Sequence, residues 1–394
     1  WLSGLNLTFF TPCLLFSSIA PVISYERLIA FWPIPTIYFI FFSISWILCR
    51  AVMPFFGVTK TYQRFIMACV LFANTNSLPV AIISSLAFSK AGTILYMNPD
   101  DTPELVAARG ISYTLFFGLF VNLARWSYGY NLLQKKSYDQ DNDTTIEYTN
   151  SHYGSISSSS SSEGRRSSSI TATEDIESID ETTKDKYSSN EHRKLLSDNT
   201  TPSSSHSLAT SFMNTLSSFN KYMSPPLYAA LLALVVGLIP PLKHVMYDKD
   251  SFVYVTLTLA IDSCGKVSVP VVMICLGAQL KSIRETQQAA SPQMRKPVIL
   301  TIFIRMFLTP LCVLPLAYLF AKYGQAWSEL AADPMFIVSA IIIGCMPTAI
   351  SLAQITQVSG IFEEEMLHVL FWSYGVICIP ACTFIVFLAL AIIS

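Results

Sequence analysis

The chain has 394 residues, of which 52% are hydrophobic and 13% are charged, whereas about 25% of the residues in a soluble globular domain are charged. The formal net charge of −1 leaves no basic excess with which to hold nucleic acid. These values exclude a soluble nucleic-acid-binding protein and favour a membrane protein.

Apolar runs of about 20 residues, the length of a membrane-spanning helix, recur along the chain. We predict nine such spans, near residues 2–23, 31–53, 63–88, 108–133, 225–246, 253–280, 298–321, 335–358 and 367–393. Because the chain begins with Trp1 inside the first apolar run, we expect the natural N-terminus to lie further upstream.

Residues 137–220 differ in composition from the spans, with the run SISSSSSSEGRRSSS at their centre and few aromatic or aliphatic side chains. Such a segment buries too little apolar area to offset the entropy lost on ordering. We predict a disordered Ser-rich loop between a first membrane half, residues 1–136, and a second, residues 221–394. The basic residues before Ser167 leave open a kinase that acts on this loop, beside a plain solvated tether.

Lysine and arginine cluster in alternate loops, and the loops between them are acidic instead. The basic positions are Arg50, Lys60, Arg64, Lys135, Lys136, Lys281, Arg284, Arg295 and Lys296. Loops rich in lysine and arginine stay on the cytoplasmic side of a membrane. We therefore predict that these loops, including residues 137–220, are cytosolic.

Prolines interrupt the apolar pattern at matching places in the two halves. Pro12 in TFFTPCLLFSS resembles Pro270 in KVSVPVVMICLGA, and Pro79 in NTNSLPVA resembles Pro347 in IGCMPTAIS. Matching interruptions in the same order are typical of inverted-repeat transporters. We predict an all-α polytopic membrane protein of ten helices in two inverted halves (5+5), with two broken crossover helices and the first helix missing from this chain.

The polar run NTNS at residues 74–77 has two explanations. Its side chains can satisfy the backbone groups that Pro79 frees, which is sufficient for a single break. Two breaks at equivalent positions, Pro79 and Pro347, predict in addition that the broken helices cross near the bilayer midplane. The N-termini of the half-helices would then offer N–H groups to an anion, and neutral donors such as Asn74 and Asn76 would bind it without a buried cation.

Ionisable residues within predicted spans are candidates for a role in transport. Asp262 and Lys266 lie four residues apart, a spacing that allows an ion pair on one helix face. Arg305 lies about two turns into the span that starts near Val298. A structural ion pair, snorkelling of Arg305 to the interface, and ion coupling with Asp262 as a proton acceptor all remain open.

Several segments, in the order in which they occur, resemble the auxin efflux carrier family, and within it the PIN-like carriers. They are FTPCLLFSSIA, FANTNSLPVAI, DSCGKVSVPVVMICLGAQL, IRMFLTP and PTAISLAQITQVSGIFEEEMLHVLFWSY. Asn74 and Pro79 match the family's Gly-Asn-x-Gly-Asn-Leu-Pro crossover, whereas Ala73, Asn76 and Ser77 depart from it. Pro347 matches the second crossover, and the resemblance adds the nearby polar residues Thr348 and Gln354 as candidates.

The resemblance implies ten helices in two inverted repeats, a scaffold and a transport domain, and elevator-like alternating access for organic anions such as indole-3-acetate. It also implies an endoplasmic reticulum membrane. The serine-rich loop favours a fungal-type member.

We therefore predict a secondary carrier of small organic anions, with auxin-like indole carboxylates as candidates. Asn74, Asn76 and Thr348 would donate to the carboxylate, and which asparagine faces the anion is open. A sodium-coupled symporter of related fold and a non-transporting sensor or scaffold acting through the loop are alternatives. A homodimer is also left open.

The sequence shows no catalytic constellation of nucleophile, base and orienting residue, so we expect no enzyme. The 9 cysteines lie in apolar runs without the spacing of metal ligands. We expect no metal, no cofactor and no nucleic acid. The expected partners are the anion and the bilayer, and a kinase and a second copy of the chain are left open above.

Overall fold

The computed structural model describes residues 1–134, 223–286 and 292–393, and this part of the chain is helical, without a β-strand. The predicted loop at 137–220, its kinase site and both predicted half boundaries lie outside the described residues.

Helices form where the apolar runs lie. In chain order they are α1 (Leu2–Ile19), α2 (Pro33–Phe56), α3 (Lys60–Leu71), α4 (Ser77–Ala87), α5 (Pro103–Leu132), α6 (Pro225–Leu238), α7 (Pro240–Tyr247), α8 (Tyr254–Lys281), α9 (Met294–Ala326), α10 (Pro334–Cys345), α11 (Leu352–Ser359) and α12 (Glu363–Ile393). Short helical segments at Tyr25–Ala30, Lys90–Leu95 and Glu329–Ala332 lie between them.

Six of the described helices, α1, α2, α5, α8, α9 and α12, are long and apolar enough to cross a membrane, and α6 with α7 makes a seventh if that bent pair is one span. The expectation of a helical membrane protein is thus confirmed at this coarser level. The ten-helix inverted repeat stays a prediction.

Two predicted spans are broken in the middle, as the sequence indicated. Residues 72–76 separate α3 from α4, and residues 346–351 separate α10 from α11. Pro347 lies inside the second break. Pro79, however, is the third residue of α4 rather than part of the first break. A proline costs little in the first turn of a helix, where its missing N–H has no intrahelical acceptor.

Pro12 and Pro270, the other matching pair of prolines, do not interrupt their helices, since α1 and α8 run through them. A wider, π-helical turn at Asn6–Phe10 directly precedes Thr11 and Pro12, and such turns relieve local crowding within a helix. Near Pro270 the Asn6 side-chain amide donates to the Ser268 carbonyl oxygen at 3.1 Å, so a neighbouring helix supplies a hydrogen bond.

A bend that the sequence analysis missed divides the predicted fifth span. The chain turns by 104° between α6 and α7. Ile239 adopts extended backbone angles there, because the following Pro240 disfavours the helical conformation of the residue before it.

The helices pack in two groups. In one, α1 packs against α6 and α8, and Gly265 permits close approach, since a Cβ there would lie 2.8 Å from the Leu14 Cα. In the other, α10 packs against α5, α9 and α12. Every residue of α10 after Pro334 is buried, as its apolar sequence requires. The short α11 also contacts the first group through α1 and α8.

A polar cluster anchors the start of α10 to α5. Asp333 caps α10 by accepting from the Met335 N–H at 2.9 Å, and it accepts from the Tyr113 hydroxyl at 2.7 Å. Arg109 donates to Asp101 at 2.8 Å, and its Nε lies 3.2 Å from Asp333 Oδ2. The hydrogen bond from Arg109 lowers the pKa of the Asp101 carboxyl, which lies in the loop before α5.

Candidate functional site

The two breaks lie side by side and pair through their backbones. Ala73 and Thr348 form an isolated antiparallel bridge. The Asn74 N–H donates to the Pro347 carbonyl oxygen at 2.9 Å, and the Ala349 N–H donates to the Phe72 carbonyl oxygen at 2.9 Å. Each break thus satisfies backbone groups of the other, which is necessary where water is scarce.

Arg305 satisfies the carbonyl groups at the C-terminal ends of the half-helices. Its Nε donates to the Met346 oxygen at 2.7 Å, and its two terminal nitrogens donate to the Val70 and Gly344 oxygens at 3.2 Å each. The last carbonyl groups of any helix lack intrahelical donors. Thr348 meets the same need, because its hydroxyl donates to the Cys69 oxygen at 2.9 Å. Arg305 is 3% exposed, so it does not snorkel, and it contacts carbonyls rather than a carboxylate.

A second buried arginine, Arg125, lies on the other side of the breaks. One terminal nitrogen donates to the Ala73 oxygen at 2.7 Å, and the other donates to Ser351 at 2.9 Å and Asn122 at 3.1 Å. Its Nε is buried without a hydrogen-bond partner. No carboxylate among the described residues pairs with this guanidinium, which is 3% exposed.

Tyr374 joins the two breaks through its hydroxyl group. The Asn74 side-chain amide donates to this hydroxyl at 2.9 Å, and the hydroxyl donates to the Thr348 carbonyl oxygen at 2.8 Å. The Asn74 side-chain oxygen accepts from the Asn76 N–H at 3.1 Å and so holds the turn that leads into α4. Both polar ends of the Asn74 side chain are therefore engaged, whereas the Asn76 side chain makes no hydrogen bond within the described part of the chain.

Side chains from the first helix group form the opposite wall. Thr11 donates to the Gln354 side-chain oxygen at 3.1 Å and lies 3.1 Å from the Ser268 hydroxyl. Asn6 reaches the Ser268 carbonyl oxygen, and its own side-chain oxygen is buried without a partner. Polar groups of α1 and α8 thus face α11 across the site.

The walls enclose a small cavity of about 60 Å³. N-terminal residues of both α4 and α11 border it. Its lining residues include Thr11, Leu14, Leu15, Asn74, Asn76, Ser77, Asn122, Arg125, Trp126, Ser268, Val272, Ile350, Ser351 and Gln354. Pockets for small molecules hold about 300–1,000 Å³, so this conformation keeps the site closed around space for a few water-sized groups.

A polar chain, which we call the clasp, crosses between the helix groups one turn beyond Gln354. Ser3 donates to Gln357 at 2.8 Å, Gln357 donates to Gln279 at 2.8 Å, and Gln279 donates to Glu363. Residues of α1, α11, α8 and α12 are thereby linked side chain to side chain.

The sequence-predicted site residues fall into three sets. Asn74, Asn76 and Gln354 line the cavity. Pro347 and Thr348 make backbone and side-chain hydrogen bonds that hold the two breaks together. Pro79 lies in the first turn of α4 and does not line the cavity.

The pair Asp262–Lys266 lies apart from the cavity. The two side chains form the ion pair that their spacing predicts, at 2.6 Å. Both are exposed on the outer face of α8, 38% and 74% respectively. A coupling role for this pair or for Arg305 stays a prediction.

Sequence reasoning missed three residues of the site: Arg125, the charged residue in the cavity lining, Tyr374 and Thr11. Arg125 carried a usable signal, since it is an ionisable residue inside the predicted span at 108–133. Tyr374 and Thr11 carried none, because nothing local shows that they face the breaks. Arg125, Arg305 and Tyr374 all lie in five-residue π-helical turns, which locally redirect side chains and often mark functional sites.

Comparison with known proteins gives a consistent result. A family described as membrane transport protein matches residues 1–386. An uncharacterized transporter of Schizosaccharomyces pombe is 31% identical, over 100% of this chain and 88% of its own length. An uncharacterized transporter of Saccharomyces cerevisiae is 30% identical, over 98% and 87%. The PIN-LIKES 3 protein of Arabidopsis thaliana is 23% identical, over 95% and 85%.

No solved structure matches the chain. The family match covers nearly all of it, including both breaks and both buried arginines, and the resemblance expected from the motifs is confirmed. The chain belongs to the membrane transport protein family, the family of the auxin efflux carriers, and is an integral membrane protein.

Proposed function

We propose that the chain is a secondary carrier of small organic anions, and that the anion binds between the two breaks. The observation that carries this proposal is the buried Arg125 guanidinium, which borders the cavity with no carboxylate partner in the described residues and an unused Nε donor. An unpaired buried charge is costly, and an anionic ligand would both neutralise it and accept a charge-assisted hydrogen bond. This replaces the earlier expectation that neutral donors alone would hold the anion.

Neutral donors around Arg125 support the same ligand. The N-termini of α4 and α11 border the cavity, and the positive ends of both helix dipoles favour an anion there. Asn76 is the asparagine we assign to the anion, because its side chain is uncommitted, whereas Asn74 is held by Tyr374. Gln354 uses its oxygen for Thr11, which leaves its amide nitrogen for the ligand.

The apolar part of the lining supports a carboxylate with an aromatic or aliphatic body. Trp126, Leu14 and Val272 border the cavity beside the polar groups. We keep an auxin-like indole carboxylate as the leading substrate, following the family resemblance. The cavity would have to widen for it, which requires α4 and α11 to move away from α1 and α8.

Alternating access would use this boundary between the helix groups. The contacts across it near the cavity include hydrogen bonds, such as Thr11 to Gln354 and the clasp, which water can replace when the groups separate. We further propose the endoplasmic reticulum membrane and a cytosolic segment at 137–220, from the resemblance and from the basic loops.

Uptake into proteoliposomes tests the proposal. Labelled indole-3-acetate should enter, and unlabelled indole-3-acetate should compete for entry, whereas the isosteric indole-3-acetamide should not. Asn76→Ala should weaken uptake more than Ser18→Ala, a change on α1 whose hydroxyl bonds only within its own helix. Equal competition by the acid and the amide would contradict the proposal that the site binds an anion.

Two further measurements address the alternatives. A carrier without 137–220 should keep transport, whereas a sensor that acts through this segment should show no transport with or without it. Replacing sodium with potassium should leave uptake unchanged, and a strict sodium requirement would favour the symporter.

Coupling is tested separately with Asp262→Asn. If Asp262 accepts a proton during transport, the dependence of uptake on external pH should flatten. An unchanged pH profile would reduce the pair with Lys266 to a structural role.

A further inference from the structure

A long apolar groove lies on the outer face of the molecule, between α9 and α12, away from the cavity at the breaks. Its volume is about 570 Å³. Ile299, Phe303 and Phe307 of α9 form one side, and Trp372 and Ile377 of α12 form the other. From Arg295 to Phe307 the groove follows twelve residues of helix, or roughly 18 Å at 1.5 Å per residue.

Several of the side chains that line the groove are open to the surroundings of the protein. Ile299 is 65% exposed and Phe307 is 57% exposed. Both helices are long and apolar enough to cross a membrane, so this surface lies against acyl chains.

One end of the groove is cationic. Arg295, the second residue of α9, lines that end, and no carboxylate among the described residues pairs with it. His368 lines it too, but its Nε2 lies 3.9 Å from Glu364 Oε1, so an acidic neighbour already faces this ring. The positive group available to a ligand is therefore the Arg295 guanidinium.

The cationic end lies at the membrane surface that we predict to be cytosolic. Lys296 follows Arg295 in sequence, and both belong to the basic loop between the sixth and seventh predicted spans. Anionic phospholipids concentrate in the cytoplasmic leaflet, and basic pockets between transmembrane helices hold their headgroups.

We propose that this groove binds one anionic glycerophospholipid, with its phosphate at Arg295 and one acyl chain along Ile299, Phe303 and Phe307. The length fits, since one leaflet offers about 15 Å of hydrocarbon depth and the groove runs roughly 18 Å. The charge fits as well, because a guanidinium binds a phosphate through two parallel hydrogen bonds.

A lipid in this position would lie directly behind Arg305. Phe303 and Phe307 flank Arg305 on the same helix, and while they face the groove, Arg305 points inward to the carbonyls of both breaks. Occupancy of the groove would brace the π-helical turn Ile304–Leu308 that holds this arginine in place.

Native mass spectrometry of the full chain tests the proposal with two lipids that share acyl chains, dioleoyl phosphatidylserine and dioleoyl phosphatidylcholine. The wild type should retain the anionic lipid about fivefold better, the effect of roughly one cationic contact at a membrane surface. Arg295→Gln should abolish this preference. Lys296→Gln, which removes the adjacent charge outside the groove lining, should keep it.

A second variant tests the apolar part. Ile299→Trp fills the groove and should lower the retention of both lipids without changing the preference between them. Equal retention of both lipids by the wild type, or the same loss in Lys296→Gln as in Arg295→Gln, would overturn the proposal. The proposal would also be overturned if the wild type were a dimer without bound lipid and Ile299→Trp were a monomer. In that case a second copy of the chain, rather than a lipid, would cover the groove.

Discussion

Arg305 and Arg125 are both buried arginines on π-helical turns beside the same pair of breaks, yet their surroundings differ. All three nitrogens of the Arg305 guanidinium donate to backbone carbonyl oxygens at helix ends. Arg125 gives one donor to a carbonyl oxygen and others to the side chains of Ser351 and Asn122, borders the cavity, and leaves its Nε unused. Every nitrogen of Arg305 therefore has a backbone acceptor, whereas the Nε of Arg125 has no acceptor among the described residues.

This difference is the reason for assigning Arg305 a structural role and, under the proposed function, Arg125 the role of binding the anion. The Arg305 guanidinium donates to backbone carbonyl oxygens through each of its three nitrogens and does not line the cavity. A guanidinium that faces a cavity with a spare donor and no anionic partner is stabilised when an anion arrives. Variants of the two residues should therefore fail in different assays.

The largest effect is expected for Arg305→Met, which removes the donors for three carbonyl oxygens in the interior of the protein. Each unsatisfied buried group costs about 1–3 kcal/mol, so the apparent melting temperature of the detergent-solubilised protein should fall by about 10 °C or more. Thermal unfolding followed by size-exclusion chromatography measures this change. Arg27→Met, at an exposed position, is the control, and an equal melting temperature in both variants would contradict the structural role.

Arg125→Gln should preserve more of the fold but lose transport. We expect uptake of a labelled carboxylate to fall by about 100-fold, the result of losing a buried charge contact of about 2.7 kcal/mol. Arg125→Lys keeps the charge without the planar fork and should recover part of the activity. If Arg125→Gln transports normally while Arg305→Met does not, the roles assigned to the two arginines are reversed.

Tyr374→Phe tests the link between the two breaks with a smaller change. The variant removes the hydroxyl that accepts from Asn74 and donates to the Thr348 carbonyl oxygen, at a cost of about 1 kcal/mol. The substrate concentration for half-maximal uptake should rise about fivefold, with little change in melting temperature. Tyr318→Phe, on the exposed face of α9, should leave uptake unchanged.

The smallest effect is expected at Asp101, outside the membrane-spanning helices. Arg109 holds the native pKa of Asp101 below its ordinary value of about 3.9, so the pair stabilises the fold at every pH above that value. This contribution disappears as the pH falls through the lower native pKa. Asp101→Asn should therefore lower the melting temperature slightly at pH 7, by the equivalent of less than about 1 kcal/mol, and the difference from wild type should shrink as the pH falls through the lowered native pKa.

Sequence patterns located the two breaks because their causes are local. Polar residues and a proline within a run of about 20 apolar residues are visible without knowledge of the fold, as NTNSLP and CMPTAIS show. The spacing of four residues between Asp262 and Lys266 likewise allowed the ion pair that the structure shows, one of the alternatives that the sequence left open.

Tertiary placement decided what the sequence could not show. Whether a proline interrupts a helix depends on its surroundings. The helix α8 runs through Pro270, whereas the chain turns by 104° where Ile239 precedes Pro240. The role of Arg125 depends on a π-helical turn, which no simple periodicity reveals, and on α11 from the far end of the sequence supplying Ser351.

The backbone bridge between Ala73 and Thr348 joins segments from the two ends of the sequence into one structural unit. Each break contributes one side of this pairing, in which the Asn74 and Ala349 N–H groups donate to carbonyl oxygens of the opposite break. Under the proposed function, neither break would form the binding site alone, and the substrate would be held at the seam where the two breaks pair. If residues 1–134 and 223–393 were made as separate polypeptides, each would be inert alone, and activity would return only where the seam re-forms.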